Sequence, residues 1–282
     1  METAIPNRLS TLGHPQRLAV FRLLMRRYPD RVPATELAQA LGLKPNTLST
    51  YVNALMQADL VNQERLGTSR RYAINMDVAR ETIDYLLNDC CRGRPEICAP
   101  NANTKHAEGC DTANHTFNVL FICTGNSARS IFAESILRDI AGERFVAYSA
   151  GTAPQSNLNP TALTVLRQKG HDVSVLKSKN LAIFQTADAP RFDFVFTVCD
   201  QAANEECPAW QGQPINAHWG LPDPVKVAGS NAEKRLAFQR TYDALRNRMK
   251  AFTALPLASL DRMSLQKAVD EIGQIYPEGP TT

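Results

Sequence analysis

A cysteine and an arginine six positions apart, Cys123 and Arg129, enclose a short loop in the sequence CTGNSAR. In such a loop successive backbone N–H groups point inward, and a following helix adds positive potential at its N-terminus, so a tetrahedral oxyanion can bind. The guanidinium of Arg129 can hold two oxygens of that anion, while a cysteine in the same field can act as a nucleophile. Because this spacing is common by chance, its meaning depends on the elements around the loop.

The residues on either side of the loop predict a strand and a helix. Apolar residues run from Phe117 to Ile122, and from Ser130 onward they return at helical intervals in the segment IFAESILRDIAG. The positive field of the loop N–H groups and the helix N-terminus is expected to lower the pKa of Cys123 from a reference of about 8.5. The Ser130 hydroxyl is expected to donate a hydrogen bond to the sulfur. The predicted oxyanion-binding residues are Thr124, Gly125, Asn126, Ser127, Ala128 and Arg129.

The segments that follow complete a resemblance to the low-molecular-weight tyrosine phosphatase fold. They are FVAYSAGTAP, NPTALTVLRQKG and FDFVFTVCD, and the resemblance runs from about Phe117 to Gly273. It implies a doubly wound α/β domain with a parallel sheet and a ligand at the strand ends. Phosphatases of this fold usually have a late Asp-Pro-Tyr motif, which is missing here, and often a second cysteine in the loop, where this chain has Ala128.

Two later segments, VCDQAANEECPAW and AHWGLPDP, resemble the arsenate reductases that share this fold. Reducing arsenate to arsenite takes two electrons, which one thiol cannot supply while returning to its initial state. The resemblance implies that Cys123 attacks arsenic, that Asp223 protonates the leaving oxygen, and that Cys199 then attacks Cys123. Cys207 would next move the disulfide outward to a reductant. The implied catalytic residues are Cys123, Arg129, Ser130, Cys199, Cys207 and Asp223.

The spacing of the later thiols leaves the electron donor open. Seven residues, 200 to 206, separate Cys199 from Cys207, one more than the resemblance to thioredoxin-coupled enzymes implies. A glutaredoxin or glutathione route, using Cys123 with an external thiol, is therefore kept beside a thioredoxin route. No tightly bound cofactor is expected for catalysis. Asn126, Glu134 and Ser149 match positions that bind an alkali cation in some relatives, so the prediction includes potassium.

The first part of the chain predicts a second, smaller fold. Pro15 can begin a helix whose Leu18, Phe21 and Met25 recur at helical steps, and the short helix TELAQALGL ends at Gly42. The next helix, NTLSTYVNALMQADL, has an apolar face and a face of small polar residues. After it, LVNQERLGTSRRYAIN predicts a β-hairpin with arginines around its turn. Together these segments predict a winged helix-turn-helix.

Small polar side chains on a recognition helix can approach base edges, and arginines on a wing can contact the phosphate backbone. The order LGHPQRLAVFRLL, ELAQALGLKPNTLSTYVNALMQADLV, GTSRRYAI resembles the ArsR/SmtB family of winged-helix repressors over about the first 90 residues. The resemblance implies operator DNA as a partner and a homodimer paired through the terminal helix, with Ile83, Leu86 and Leu87 on one face. The predicted DNA-binding residues are Asn46, Thr47, Ser49, Thr50, Asn53, Arg65, Arg70 and Arg71.

The thiols of this part predict an inducer site. Many ArsR/SmtB members have a Cys-x-Cys pair before the turn, but the stretch here is RVPATEL, without cysteine. Trivalent arsenic takes three thiolates, and Cys90, Cys91 and Cys98 resemble the arsenic site of another subset of the family. Arsenite or antimonite is therefore the expected regulatory ligand. The alternatives are zinc on Cys98, His106, Cys110 and His115, or cysteines that only belong to a linker.

Composition and charge agree with a fused, cytoplasmic protein. The N-terminal METAIPNRLS lacks the basic start and apolar stretch of a signal peptide, and the apolar runs are strand-sized, so neither export nor membrane spanning is expected. Residues 1–100 contain 13 Lys and Arg against 10 Asp and Glu, so a nucleic-acid partner should meet this part. The predicted divisions are a DNA-binding and dimerisation domain, 1–91, a linker, 92–116, and an arsenate reductase domain, 117–282.

The predicted function is that of an arsenic-resistance fusion: an arsenic-responsive DNA-binding regulator joined to a thiol-dependent arsenate reductase. Two alternatives remain. The second domain could be a low-molecular-weight tyrosine phosphatase, which would need Cys123 and Asp223 but not Cys199. It could also be an inactive sensor of oxyanions or redox state, which would turn over neither substrate.

Overall fold

The structure, a computed structural model, describes residues 4–92, 115–186, 188–205 and 210–275. The chain divides into two compact units, the first ending and the second beginning within the stretch 93–114, which lies outside the described residues. The predicted linker 92–116 falls almost entirely in that stretch, so its boundaries stay a prediction. Within the described ranges, no helix has the length and apolar character needed to cross a membrane.

The first unit is a winged helix-turn-helix, as predicted. Its strands form an antiparallel sheet in the order β1-β3-β2, and Gly67 forms the wing turn with a φ of 58°. The elements, in chain order, are α1 (Ala4–Leu12), α2 (Pro15–Arg26), β1 (Val32–Pro33), α3 (Ala34–Ala40), α4 (Pro45–Gln57), β2 (Val61–Leu66), β3 (Ser69–Ile74) and α5 (Met76–Tyr85), followed by a π-helical turn (Leu86–Cys90).

Local sequence explains how the helices of this unit begin and end. α2 starts with Pro15, and the His14 side chain accepts a hydrogen bond from the backbone N–H of Gln16. The turn between α3 and α4 depends on Gly42, whose φ of 62° is a conformation that a Cβ disfavours. α4 then buries Leu48, Val52 and Leu55, so its polar face is left outward.

α2 begins at the predicted Pro15, and of the apolar residues named for it Phe21 packs against the core. Leu18 and Met25 are 40% and 36% exposed, whereas the buried residues of this helix are Val20, Leu23 and Leu24. α2 has apolar residues on more than one side, so periodicity alone does not settle which side faces the core. Packing against α4 and the sheet decides which side of α2 is buried.

The second unit is the predicted α/β domain with a parallel sheet. Four strands lie in the order β5-β4-β6-β7, and every neighbouring pair is parallel. The elements are β4 (Phe117–Cys123), α6 (Arg129–Ala141), β5 (Phe145–Gly151), α7 (Pro160–Gln168), a 3-10 turn (Leu181–Phe184), β6 (Phe194–Thr197), α8 (Asp200–Asn204), β7 (Ile215–His218), a 3-10 turn (Pro224–Lys226), α9 (Asn231–Thr253) and α10 (Arg262–Gly273).

Burial and strand order place the candidate chemistry at one edge of this sheet. Residues 119–122 of β4 are fully buried, since β4 lies between β5 and β6. The carboxyl ends of parallel strands meet at the same edge, so β4 ends at Cys123, β6 ends just before Cys199, and β7 leads into the segment that contains Asp223. Three residues far apart in sequence are thereby brought to one edge.

Candidate functional site

The loop between β4 and α6, residues 123–129, turns its carbonyl groups away from Cys123. Those carbonyls accept hydrogen bonds from a neighbouring segment that follows β5, so the amide N–H groups are left for the interior of the loop. One of them, the N–H of Asn126, donates to Cys123 Sγ at 3.1 Å. The carbonyl pairs are Cys123 with Thr152, Thr124 with Ala153, Gly125 with Gln155, and Ser127 with Asn159.

The backbone strain of this loop lies at Asn126, not at the glycine. Asn126 has a φ of 41°, in the left-handed region that asparagine tolerates better than most residues. At Gly125 an added Cβ would make only an ordinary contact, 3.4 Å from Gln155 Cγ. The close approach is instead at Gly151, where a Cβ would lie 2.6 Å from the Thr124 carbonyl oxygen. Sequence reasoning missed Gly151, because its restriction comes from a loop distant in the chain.

Cys123 is buried, 3% exposed, and its sulfur contacts Ser130 Oγ at 2.9 Å. The expectation of a lowered pKa is not what the structure shows. Burial, first of all, and the neighbouring Cys199 raise the pKa of Cys123, while hydrogen bonds from Ser130 and the charge of Arg129 oppose that rise. Desolvation dominates because the thiolate would be removed from water while Arg129 is already paired with a carboxylate.

The hydrogen-bond direction at the sulfur follows from Asn126. Its Oδ1 accepts from the backbone N–H of Lys179 at 2.6 Å, a donor whose identity is not in question, so its Nδ2 must face Ser130. Ser130 Oγ therefore accepts from Asn126 at 2.9 Å and has its own hydrogen free for Cys123 Sγ. The hydrogen bonds from the Lys179 N–H through Asn126 and Ser130 are thus oriented so that the last of them donates to the Cys123 sulfur.

One of the residues predicted to bind potassium, Glu134, is paired with an ammonium group instead. Lys179 Nζ lies 3.0 Å from Glu134 Oε2, and Ser149 donates to the same carboxylate oxygen. Asn126 Oδ1 is already used by the Lys179 backbone. These oxygens therefore do not fit an additional alkali cation, because N–H and O–H donors occupy the directions that a metal ion would need. Sequence reasoning missed Lys179, since it is 45 residues from Glu134.

Arg129 links the anion loop to the segment that contains Asp223. Its Nη2 donates to Asp223 Oδ2 at 2.8 Å, and its Nη1 donates to the Leu221 carbonyl at 3.0 Å. The other oxygen of Asp223 accepts from the backbone N–H of Val225 at 3.1 Å. The guanidinium and the carboxyl group therefore lie together, and the charge of Arg129 acts on Cys123, so one group could hold an anion and the other a proton.

The structure also brings Cys199 to this place. Its side chain is 1% exposed, and its sulfur accepts from the Ala202 N–H at 3.4 Å. Thr124 Oγ1, on the residue after Cys123, lies 3.5 Å from Cys199 Sγ. The two thiols thus share the neighbourhood of one hydroxyl group, while Cys207 lies outside the described residues.

Most of the predicted DNA-binding residues are exposed on the first unit. Asn46, Ser49, Thr50 and Asn53 are exposed on α4. The hydroxyls of Ser49 and Thr50 donate to helix carbonyls four residues earlier, so they can still accept hydrogen bonds from DNA but would have to leave those carbonyls in order to donate to it. Thr47 and Arg71 are half-buried, whereas Arg65 and Arg70 are exposed and face each other across the wing.

The predicted arsenite site is only partly described. Cys90 is exposed and Cys91 half-buried, both at the end of the π-helical turn after α5. Cys98 lies outside the described residues, as do His106 and Cys110 of the zinc alternative. His115 is described, and its Nε2 lies 3.4 Å from Asp193 Oδ1.

Comparison with known proteins identifies relatives for each unit. Residues 118–267 match the family model of low molecular weight phosphotyrosine protein phosphatase, and residues 12–64 match a helix-turn-helix domain. An arsenate reductase of Bacillus subtilis is 35% identical over 134 residues, 48% of this chain and 93% of that protein. One from Bacillus licheniformis is 37% identical with the same coverage. The crystal structure of an arsenate reductase from Archaeoglobus fulgidus is 23% identical, covering 47% of this chain and 98% of that one, with a TM-score of 0.38.

Proposed function

Because the chain belongs, through residues 118–267, to the low molecular weight phosphotyrosine protein phosphatase family, we propose that this unit binds a tetrahedral oxyanion and reduces arsenate to arsenite. The observation that supports reduction is Cys199, whose sulfur lies 3.5 Å from the hydroxyl of the residue after Cys123. Hydrolysis of a phosphate ester has no use for that second thiol. Relatives that are 35% and 37% identical are named arsenate reductases.

Binding begins with a change of partner at Arg129. The incoming anion offers two oxygens to the guanidinium, which in the structure is paired with Asp223 at 2.8 Å. When Arg129 turns to the anion, the Asp223 carboxyl group is released from the guanidinium and can face the bound anion.

In the first chemical step, a sulfur–arsenic bond forms between Cys123 and the bound arsenate, and an arsenic–oxygen bond breaks. The leaving oxygen departs as water after accepting a proton from Asp223. The thiol of Cys123 loses its own proton to the arriving oxyanion, since burial keeps that proton on the sulfur beforehand. Ser130 supplies a hydrogen bond to the sulfur throughout this step.

In the second step, the Cys199 thiolate attacks Cys123 Sγ, and a disulfide forms as the sulfur–arsenic bond breaks. The electron pair of that bond stays on arsenic, which leaves as arsenite, and the two thiols are oxidised together by two electrons. The proton of the Cys199 thiol passes to an oxygen of the departing arsenite, and Thr124 Oγ1 is placed to hydrogen-bond the Cys199 sulfur. Cys207 then attacks Cys199 and releases Cys123, and an external dithiol or glutathione restores the resting state.

The experiment that tests this function is an arsenate reduction assay in which thioredoxin and glutaredoxin systems are supplied separately. Release of arsenite with either system would support the proposal and identify the donor. Hydrolysis of an aryl phosphate, with no arsenite formed under either system, would instead assign the unit as a phosphatase. Turnover of neither compound would assign it as an inactive sensor.

Replacing Lys179 by methionine is expected to slow the first step about tenfold, an effect of the size that hydrogen bonds to charged groups contribute. The buried carboxylate of Glu134 would lose its ammonium partner, and Glu134 is linked to Asn126 through the Ser149 hydroxyl. The backbone N–H of residue 179, which donates to Asn126 Oδ1, is kept in the variant. The measurement is the rate of aryl phosphate turnover, which does not need Cys199. Lys177→Met, at an exposed position two residues away, is the matched control. Restoration of the Lys179→Met rate by potassium alone would contradict the role given to the ammonium group.

The first unit supports a second part of the proposal, an arsenic-responsive, dimeric DNA-binding regulator. α4 presents Asn46, Ser49, Thr50 and Asn53 outward, and Arg65 and Arg70 are exposed on the wing. In α5, Ile83 is 52% exposed, which fits a helix that pairs with a second copy of the chain. Cys90 and Cys91 lie next to that helix end, so arsenite bound there could change how two recognition helices are spaced.

Arsenite is expected to release the full-length protein from DNA, and Cys90→Ser or Cys91→Ser to raise the half-effective concentration about tenfold or more, since trivalent arsenic takes three thiolates. The probe is double-stranded DNA enriched from a random pool by the wild-type protein, and release is followed by fluorescence anisotropy. Cys199→Ser, at a buried thiol of the other unit, is the control. Unchanged release in both test variants would refute an arsenite site at these thiols.

A further inference from the structure

A histidine at the end of β7 joins the strand ends to the segment that begins at Cys199. His218 is fully buried in its side chain, and its two ring nitrogens contact two different elements. Nδ1 lies 2.8 Å from Thr197 Oγ1, at the end of β6, and Nε2 lies 3.1 Å from Asp200 Oδ1. Asp200 is the first residue of α8 and directly follows Cys199.

The chemistry of the two partners orients the ring. A carboxylate only accepts hydrogen bonds, so Nε2 must carry the hydrogen that points at Asp200. The Thr197 hydroxyl can then donate to Nδ1 of a neutral ring. The Asp200–His218 pair, defined by this Nε2–Oδ1 contact, is therefore a charge-assisted hydrogen bond with a buried donor.

Gly220 leaves the space in which this pair forms. A Cβ added at position 220 would lie 2.5 Å from His218 Nε2 and 2.6 Å from Asp200 Oδ1. No side chain can occupy that position without separating the two groups or moving the backbone. The absence of a side chain at Gly220 is therefore a condition for the pair.

The two sides of the pair are held unequally. On the His218 side, Trp219 is fully buried, stacks on Phe196 at 4.1 Å, and donates from Nε1 to the Val269 carbonyl. Arg248 donates to the Trp219 carbonyl at 2.8 Å. On the Asp200 side, α8 is only five residues long, although it buries Ala202 and Ala203. If the pair breaks, we expect the short helix to move rather than the strand end, which is held through Trp219 and Arg248.

We propose that the Asp200–His218 pair holds α8 against the carboxyl edge of the sheet, keeping Cys199 buried beside Thr124, and that it must separate before Cys199 becomes accessible. Asp200 and His218 are thus positioning residues for Cys199. The inference deepens the proposed thiol relay, because a sulfur that is 1% exposed has to move before it can exchange with a thiol outside the site. Its test measures the accessibility of one sulfur and needs no arsenate.

The experiment compares rates of alkylation by iodoacetamide in the fully reduced, full-length protein, with each cysteine followed by peptide mass spectrometry. Asp200→Ala is expected to raise the rate at Cys199 about tenfold or more, the effect available from one hydrogen bond to a charged group. Asp200→Asn keeps an acceptor for Nε2 and should stay within about threefold of wild type. Gln201→Ala, at the next and exposed position of α8, should match wild type.

A second variant disturbs the Asp200–His218 pair from the segment that follows His218. Gly220→Ala places its methyl group against both partners and should raise the Cys199 rate as Asp200→Ala does. Wild-type rates at Cys199 in both variants would overturn the proposal, as would an equal rise at Cys123, which would indicate general loosening. Aryl phosphate and arsenate turnover of the wild type are measured in parallel. If arsenate is not reduced while the alkylation pattern holds, only the proposed function fails.

Discussion

Cys199→Ser is expected to abolish repeated turnover of arsenate, lowering it by about a thousandfold or more, because a hydroxyl group cannot form the disulfide that drives arsenite release. One arsenate per protein would still react at Cys123 and stay bound as the thiol adduct. Serine is close to cysteine in size, so the contact with Thr124, at 3.5 Å in the parent protein, and the fold should be kept. The measurement is arsenite formed per protein over many turnovers, with the reductant system that supports the wild type.

Hydrolysis of an aryl phosphate separates this effect from damage to the site. That reaction needs Cys123, Arg129 and Asp223 but no second thiol, so Cys199→Ser should change it by no more than about threefold. Removing the Cys199 thiol also takes away a group that raises the pKa of Cys123, so any change should favour the first step. Cys123→Ser should lose both activities. Full arsenate turnover by Cys199→Ser with glutaredoxin would contradict the relay and favour an external thiol at Cys123.

Asp223→Asn is expected to slow the first chemical step by about a hundredfold to a thousandfold, the usual effect of removing a positioned general acid. Asp223 accepts from the Val225 N–H at Oδ1 and from Arg129 at Oδ2. Asparagine has one acceptor oxygen, which can keep the bond from the Val225 N–H and with it the local turn, while its NH2 group faces Arg129 and the transferable proton is lost. The measurements are the rate of aryl phosphate hydrolysis and the single-turnover rate of arsenate reaction at Cys123.

The matched control for Asp223→Asn is Asp243→Asn, at a side chain on α9 that is 56% exposed and paired with Lys169. It should leave both rates unchanged. If Asp223→Asn reacted at the wild-type rate, the proton would have to come from another group, and the position of Asp223 beside Arg129 would be structural only. A substrate with a better leaving group should be affected less, because it needs less protonation.

The larger features of the molecule were predictable because the signals for them are local. Each of these signals depends on residues within a few positions of one another: the apolar run of β4, the apolar residues that recur at helical intervals after Ser130, and Gly42 between two helices. They predicted the winged helix and the parallel α/β unit, and both predictions are confirmed. In α2, Phe21 packs against the core while Leu18 and Met25 are exposed, because local spacing does not rank apolar residues that have apolar neighbours.

Local patterns in the chain were thus enough to establish the two units, their order and the loop between β4 and α6, since helical and strand periods are properties of short segments. The environment of Cys123 was decided by segments far away: Lys179 pairs with Glu134, burial and Cys199 raise the pKa of the thiol, and Gly151 leaves room for the Thr124 carbonyl. Desolvation, charge pairing and steric contact act through space, so these features depend on which distant residues the folded chain brings together.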